Sequence, residues 1–136
     1  MLNKEQKSVN LVKILVVDDL PHYRKDAENA FLGLGCTVIT AVDGEDAWQK
    51  IESEAVNNRP FDMIVSDWQM PNIDGIELLK KIRESKHKAL PFMLLTTEPY
   101  ADAVKRANIL YKPDAVLGKP ANQHLGLFKV YVDALK

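Results

Sequence analysis

Ile14-Leu15-Val16-Val17-Asp18-Asp19 places four consecutive apolar residues, three of them β-branched, directly before two carboxylates. A strand with one wet face alternates apolar and polar side chains. An unbroken apolar run this short belongs instead to a strand covered on both faces, as in a parallel sheet. Four more short runs of this kind follow: Thr37 to Ala41, Met63 to Val65, Phe92 to Thr96 and Ala115 to Leu117. Each is too short for a helix, and amphipathic segments separate them.

The separating segments carry helical spacing. Pro21 suits a first helical turn, and Ala27, Ala30, Phe31 and Leu34 form a stripe that Gly33 and Gly35 close. Ala47, Ile51 and Ala55 stripe a second helix entered at Asp43-Gly44. Ile76, Leu79 and Ile82 stripe a third, and Ala103, Val104, Ala107 and Leu110 a fourth. The fifth is expected to start at Asn122 as N-cap and to show Leu125, Phe128, Val132 and Leu135 on one face. Five βα units in succession predict an α/β fold, a doubly wound five-stranded parallel sheet with right-handed crossovers. Residues 1–11 are expected to be a flexible tail and 12–136 a single domain, which leaves no residues for an output domain.

In such sheets ligands bind beyond the carboxyl ends of the strands. The residues falling there are Asp18 and Asp19, Asp67, Thr96 with Thr97, and Lys119. Acids, hydroxyls and an amine therefore meet on one rim. Three carboxylates at close range raise one another's pKa unless a cation neutralises them. Mg²⁺ suits such a site, because it takes one or two carboxylates and keeps waters or phosphate oxygens for the rest. Asp67 can act as a nucleophile toward phosphorus. Charge in phosphoryl transfer spreads over the phosphoryl oxygens, so catalysis is largely positioning and electrostatics. Lys119 supplies a cation and Thr96 a hydroxyl donor for that purpose.

Bulk composition bounds the class. The chain has 136 residues, 46% hydrophobic and 27% charged, with a net charge of −1, which suits one folded domain without a basic field for nucleic acid. The single cysteine, Cys36, excludes an internal disulfide and reads as a small core residue. The opening residues lack a signal-peptide core, and no apolar run approaches the roughly 18 residues that span a bilayer. A cytoplasmic monomer without membrane contact is the expectation.

Ser66-Asp67-Trp68-Gln69-Met70-Pro71-Asn72-Ile73-Asp74-Gly75 closely resembles the phosphoacceptor segment of bacterial response-regulator receivers, most of all the single-domain chemotaxis type. Asp43 to Trp48, Glu77 to Arg83, Leu95 to Glu98 and Lys119-Pro120 fall in family order, with spacings of 48 residues from Asp19 to Asp67, 29 to Thr96 and 23 to Lys119. The resemblance covers Lys13 to the C-terminus. It implies the flavodoxin-like strand order 2-1-3-4-5 and Asp67 as phosphoacceptor. It implies Asp19, Asp67 and the Gln69 carbonyl as inner Mg²⁺ ligands, Asp18 acting through a water, Thr96 as switch hydroxyl and Lys119 as partner of the phosphate. The phosphodonor is then a sensor histidine kinase, and the chain is a signalling switch that catalyses its own phosphorylation and dephosphorylation rather than an enzyme acting on metabolites. Its output partner is expected to be a flagellar motor switch or a phosphotransfer protein. A phosphorelay shuttle or phosphate sink is the alternative.

Three positions depart from the family pattern. Val116 stands where an aromatic is usual, Ala121 follows Lys-Pro in place of Phe, and Tyr111-Lys112-Pro113-Asp114 replaces a glycine-containing turn. All three concern the output surface. A metal-dependent phosphatase with an aspartate nucleophile would want Asp-x-Asp and a cap, and a flavin carrier a Ser/Thr/Gly-rich loop after the first strand; neither pattern is present. His22, His87 and His124 read as exposed or helix-end residues, Trp48 as partly packed on the sheet, and the Lys80-Lys81 and Lys86–Lys88 charges as solvated faces.

Overall fold

The computed structural model describes residues 11–136; the tail expected before them lies, Leu11 apart, outside the described residues. Five strands, β1 (Lys13–Val17), β2 (Thr37–Ala41), β3 (Met63–Ser66), β4 (Phe92–Thr96) and β5 (Ala115–Gly118), alternate with five helices. The helices are α1 (Pro21–Leu32), α2 (Gly44–Val56), α3 (Gly75–Arg83), α4 (Asp102–Tyr111) and α5 (Leu125–Leu135), the last preceded by a 3-10 turn at Ala121–His124. Every strand pair is parallel, and the order is β2-β1-β3-β4-β5. The expected doubly wound, flavodoxin-like sheet is therefore the observed one.

Strand side chains alternate between two cores, which is why β1, β3 and β4 read as continuous apolar runs. Ile14, Val16, Met63, Val65, Met93 and Leu95 point to one face and meet α1 and α5 through Ala27, Phe31, Phe128 and Val132. Leu15, Val17, Ile64, Phe92 and Leu94 point to the other and meet α2, α3 and α4 through Ala47, Ile51, Leu79, Ile82 and Val104. Phe31 and Phe128 touch at 4.5 Å between ring centroids and close the first core. Cys36 is buried there, and burial pushes its thiol pKa up. Among the described residues no helix is long and apolar enough to cross a membrane.

Several sequence expectations need correction. Leu110 and Leu125 are exposed, because α4 and α5 turn a narrower stripe inward than the spacing suggests. Asn122 does not cap α5; it lies inside the 3-10 turn, and His124 occupies the cap position without a side-chain bond to the helix. His87 is not solvated: its ring is 14% exposed, pairs with Glu52 at 2.9 Å and meets Trp48 edge-on. Lys80 and Lys81 are exposed as expected, and the Lys81 ammonium also lies 4.9 Å over the Trp48 ring. The turn before β5 manages without glycine, because Lys112 itself adopts the left-handed conformation (φ 49°). Arg83 donates to the carbonyls of Tyr111 (2.9 Å) and Lys112 (3.3 Å), and so holds the helix end that a glycine turn would otherwise close.

Gly75 is required by close packing. A Cβ there would stand 1.9 Å from the Asp67 carbonyl oxygen, so the start of α3 must press its backbone against the exit of β3. Ser66 Oγ donates to that same carbonyl at 2.8 Å, and Gly75 N–H donates to the Trp68 carbonyl at 2.7 Å. Gly75→Ala is therefore expected to lower stability by about 1–3 kcal/mol or more, as overpacking against fixed backbone does. Urea unfolding checks this, and a matching Gly126→Ala, which meets nothing within 4 Å, should cost far less.

Candidate functional site

The sheet reverses its winding between β1 and β3, and ligands bind at such switch points. Ladder hydrogen bonds run one residue past each strand and fix the rim. Asp18 N–H donates to Ala41 O (3.1 Å), Asp67 N–H to Val17 O (2.9 Å) and Lys119 N–H to Thr96 O (2.9 Å). Backbones held this firmly place their side chains within a narrow space. Carboxylate oxygens of Asp18, Asp19 and Asp67 all lie within 4.8 Å of one another.

Lys119 enters this cluster directly after the end of β5, and the peptide that follows it, to Pro120, is cis. Its ammonium stands 2.6 Å from Asp18 Oδ2 and 3.2 Å from Asp67 Oδ1, with the side chain 2% exposed. One cation thus faces three carboxylates. The imbalance shows at Asp67, whose pKa rises from 3.8 to about 6 through burial first and the neighbouring Asp18 second, against the lowering pull of Lys119. Asp18 spends its other oxygen on the Leu20 N–H at 3.0 Å, and its carbonyl accepts from Arg24 at 2.8 Å. Asp19 Oδ1 is buried without a hydrogen-bond partner. An orphaned carboxylate oxygen beside two more carboxylates is the donor set of a hard divalent cation, so the residues fit Mg²⁺.

Of the residues expected at the site, the fold brings Asp18, Asp19, Asp67 and Lys119 into contact. Thr96 is buried at the end of β4, where its oxygen accepts from the Glu98 N–H at 3.0 Å and its hydroxyl hydrogen is free to donate. Gln69 is exposed on the loop after β3. That loop is pinned from α2: Gly44 N–H donates to Ile73 O at 2.9 Å, and Asn72, itself left-handed (φ 66°), donates its amide to Asp43 at 2.8 Å. Asp43 also caps α2 through Asp46 N–H, and these bonds hold its carboxyl below the usual range. Sequence reading found Asp43 as a helix entry but not as the anchor of the Gln69 loop. It also missed Tyr23, whose ring lies 4.1 Å from the Lys119 ammonium. The available signal was an aromatic in the first turn of the helix that follows the acid pair.

A carboxyl whose pKa is raised on folding takes up its proton more readily in the folded state. Between pH 4 and pH 6 the folded protein thus binds more protons, and stability falls as pH rises through that window. A rise from 3.8 to about 6 corresponds to roughly 3 kcal/mol above pH 6, before any cation binds. Asp67→Asn removes this burden and keeps the shape, so without Mg²⁺ at pH 7.5 it should be the more stable protein, by about 1–3 kcal/mol. The gain should vanish near pH 4 and shrink in millimolar Mg²⁺. Urea unfolding with and without chelator reads both dependences.

The sequence of residues 14–126 matches the response regulator receiver domain family. The chemotaxis protein CheY1 of Helicobacter pylori is 36% identical over 89 residues, which are 64% of this chain and 68% of that one. The chemotaxis protein CheY4 of Vibrio cholerae superposes with a TM-score of 0.74 at 31% identity, over 88% of this chain and 96% of that one. A CheY-like receiver domain protein from Methanospirillum hungatei shares the fold alone, with a TM-score of 0.76 at 24% identity over 92% of this chain and 96% of its own.

Proposed function

This chain belongs to the response regulator receiver domain family, and on that premise we propose that it is a phosphorylation switch that accepts a phosphoryl group on Asp67 from a sensor histidine kinase. The observation that carries the reading is the Lys119 ammonium held between Asp18 and Asp67 beside the unpartnered Asp19 oxygen. An Asp67 carboxylate oxygen forms the new bond to phosphorus as the bond to the donor's imidazole nitrogen breaks, and the donor leaves with the electron pair. Lys119 turns its ammonium from the carboxylate to a phosphoryl oxygen. The Thr96 hydroxyl, whose hydrogen is uncommitted, donates to another. Asp19, Asp67 and the Gln69 carbonyl would hold Mg²⁺, with Asp18 acting through a water; the ion supplies charge neutralisation for the phosphoryl oxygens. The chain works in the cytoplasm, as a monomer.

Asp67→Asn should abolish base-labile labelling from acetyl phosphate or a kinase, by more than a hundredfold. Asp19→Asn should lose the Mg²⁺-dependent change in Trp68 fluorescence, since Trp68 adjoins the site. Labelling of Asp67→Asn at the wild-type rate, or an unchanged Trp68 response in Asp19→Asn, would assign the chemistry elsewhere.

The output face differs from an aromatic-bearing receiver. Beside the half-buried Val116 runs a groove of about 450 Å³, lined by Pro99, Tyr100, Val104, Lys105 and His124 among others. Tyr100 is 82% exposed at its edge. Val116 offers no ring to move between two positions, and a modification shifts a conformation only through differential contacts. A phosphorylation mimic is thus expected to move the segment from Thr96 to Ala107 more than β5, in a chemotaxis-type pathway or a phosphorelay. Val116→Tyr should strengthen binding to a flagellar motor-switch peptide several-fold. Chemical-shift mapping with beryllofluoride and peptide titration read the two effects; tight wild-type binding with shifts centred on Val116 would contradict both.

A further inference from the structure

Tyr23 belongs to neither apolar core, although its neighbours on α1, Ala27, Ala30 and Phe31, all do. Its half-buried ring instead lies 4.1 Å from the Lys119 ammonium, with the His22 ring tilted by 38° beside it at 4.2 Å between centroids. The position is held from the backbone. Arg24, the next residue, donates its guanidinium to the Asp18 carbonyl at 2.8 Å and its N–H to the Leu20 carbonyl at 3.0 Å, which docks the first turn of α1 onto the exit of β1. Tyr23 is thereby presented to the end of β5 by a turn that cannot slide.

From this geometry we infer that Tyr23 is a positioning residue for Lys119, a role that rests on the phosphoacceptor reading of Asp67. An ammonium has three donor directions, and two are taken by Asp18 and Asp67. A third carboxylate there would add to the surplus of negative charge around the one buried cation. A ring face attracts a cation through its quadrupole and adds no charge, and the attraction grows when the cation is shielded from water, as Lys119 is. Phosphorylation changes the Asp67 partner: one of its oxygens becomes part of the acyl phosphate, and Lys119 must turn to a phosphoryl oxygen. The ring is a partner without charge that stays the same in either state. Lys119 stands 0.6 Å nearer to Asp18 (2.6 Å) than to Asp67 (3.2 Å). Without the ring, water enters on its side and the ammonium is free to settle on Asp18, away from the reacting oxygen. The role belongs to the ring face and not to the phenol hydroxyl, so phenylalanine should serve and an aliphatic residue should not.

The experiment uses the full chain with acetyl phosphate and Mg²⁺, comparing wild type, Tyr23→Phe, Tyr23→Leu and, should the leucine variant not fold, Tyr23→Met. Two measurements are made. The first needs no phosphodonor: the ε-methylene protons of Lys119 should be shifted upfield by the ring current in wild type and Tyr23→Phe, and return to ordinary lysine positions in the aliphatic variants. The second is the limiting rate of phosphorylation, expected to fall about tenfold in the aliphatic variants and to stay within twofold in Tyr23→Phe. Mg²⁺ affinity, read from Trp68 fluorescence, should stay within twofold throughout, which a general loosening of the site would not allow. Aliphatic variants phosphorylated at the wild-type rate, a phenylalanine variant as slow as leucine, or a wild type without the upfield shift would overturn the assignment to Tyr23. A wild type that takes no label at all would instead overturn the phosphoacceptor reading itself, and the Tyr23 role with it.

Discussion

The Lys119 ammonium, wedged between Asp18 and Asp67, is the contact on which the rest of this structure depends. Three carboxylates share a space less than 5 Å across with one buried cation. Such a cluster is unfavourable in water-poor surroundings, because the carboxylates outnumber the one cation that could neutralise them. The site therefore remains poised. Asp67 shows it as a pKa raised by burial first and by the nearby Asp18 second, and Asp19 as an oxygen without a partner. A divalent cation and a phosphoryl group would relieve opposite halves of the problem, the ion by adding positive charge, the phosphoryl group by engaging Lys119. Strain kept at the site in this form favours the bound and modified states over the free one.

Holding such a cluster together takes a frame that cannot relax. Parallel ladders run through Asp18, Asp67 and Lys119 by one backbone bond each, so none of the three side chains can be relieved by a local shift of its loop. The loop after β3 is tied at both ends, by Gly75 pressed against the Asp67 carbonyl and by the Asn72–Asp43 bond reaching from α2. Two apolar cores on opposite faces then fix the strands that carry these ends. Stability from burial is thus spent in part on keeping like charges near one another, a common arrangement where proteins store chemistry.

The fold was almost wholly legible in the sequence, because strands buried on both faces leave an apolar signature that helices of this length do not. β2 and β4 match their expected limits to the residue, and β1, β3 and β5 extend one residue further. The rim residues were equally legible, since a strand end defines a place in space once the sheet is parallel. What stayed hidden depends on contacts between elements distant in sequence. Nothing local in Tyr23 says that a lysine 96 positions later will lie over its ring. Nothing around His87 points to Glu52 across the α2–α3 face. Leu110 and Leu125 misled for the opposite reason: helical spacing marks an apolar stripe but not its width, and a helix packed over a sheet edge buries less than its sequence offers.

The chemistry and the output groove are separated by very little chain. Gly118, the last residue of β5, is paired in register with Thr96 and is followed directly by Lys119. Its carbonyl accepts from the His124 ring at 2.6 Å and from the Gln123 amide at 2.9 Å. Gly118 and His124 both line the groove beside Val116. On the proposed function, a turn of the Lys119 side chain toward a phosphoryl oxygen would act on a backbone that the 3-10 turn before α5 grips from the groove side. Any partner seated in that groove touches the same His124 and the same strand end. In a receiver with an aromatic on β5, a moving ring provides the difference between two states. Here that ring is absent, and on the proposed function the groups left to differ between the two states would be the Gly118 backbone, the Thr96 hydroxyl bonded to the Glu98 N–H, and the exposed Tyr100 at the rim. Coupling between two sites requires an element whose two arrangements both sites bias, and the stretch from Thr96, buried at the strand end, to Pro99, Tyr100 and Val104 in the groove is one that reaches from the rim to the groove.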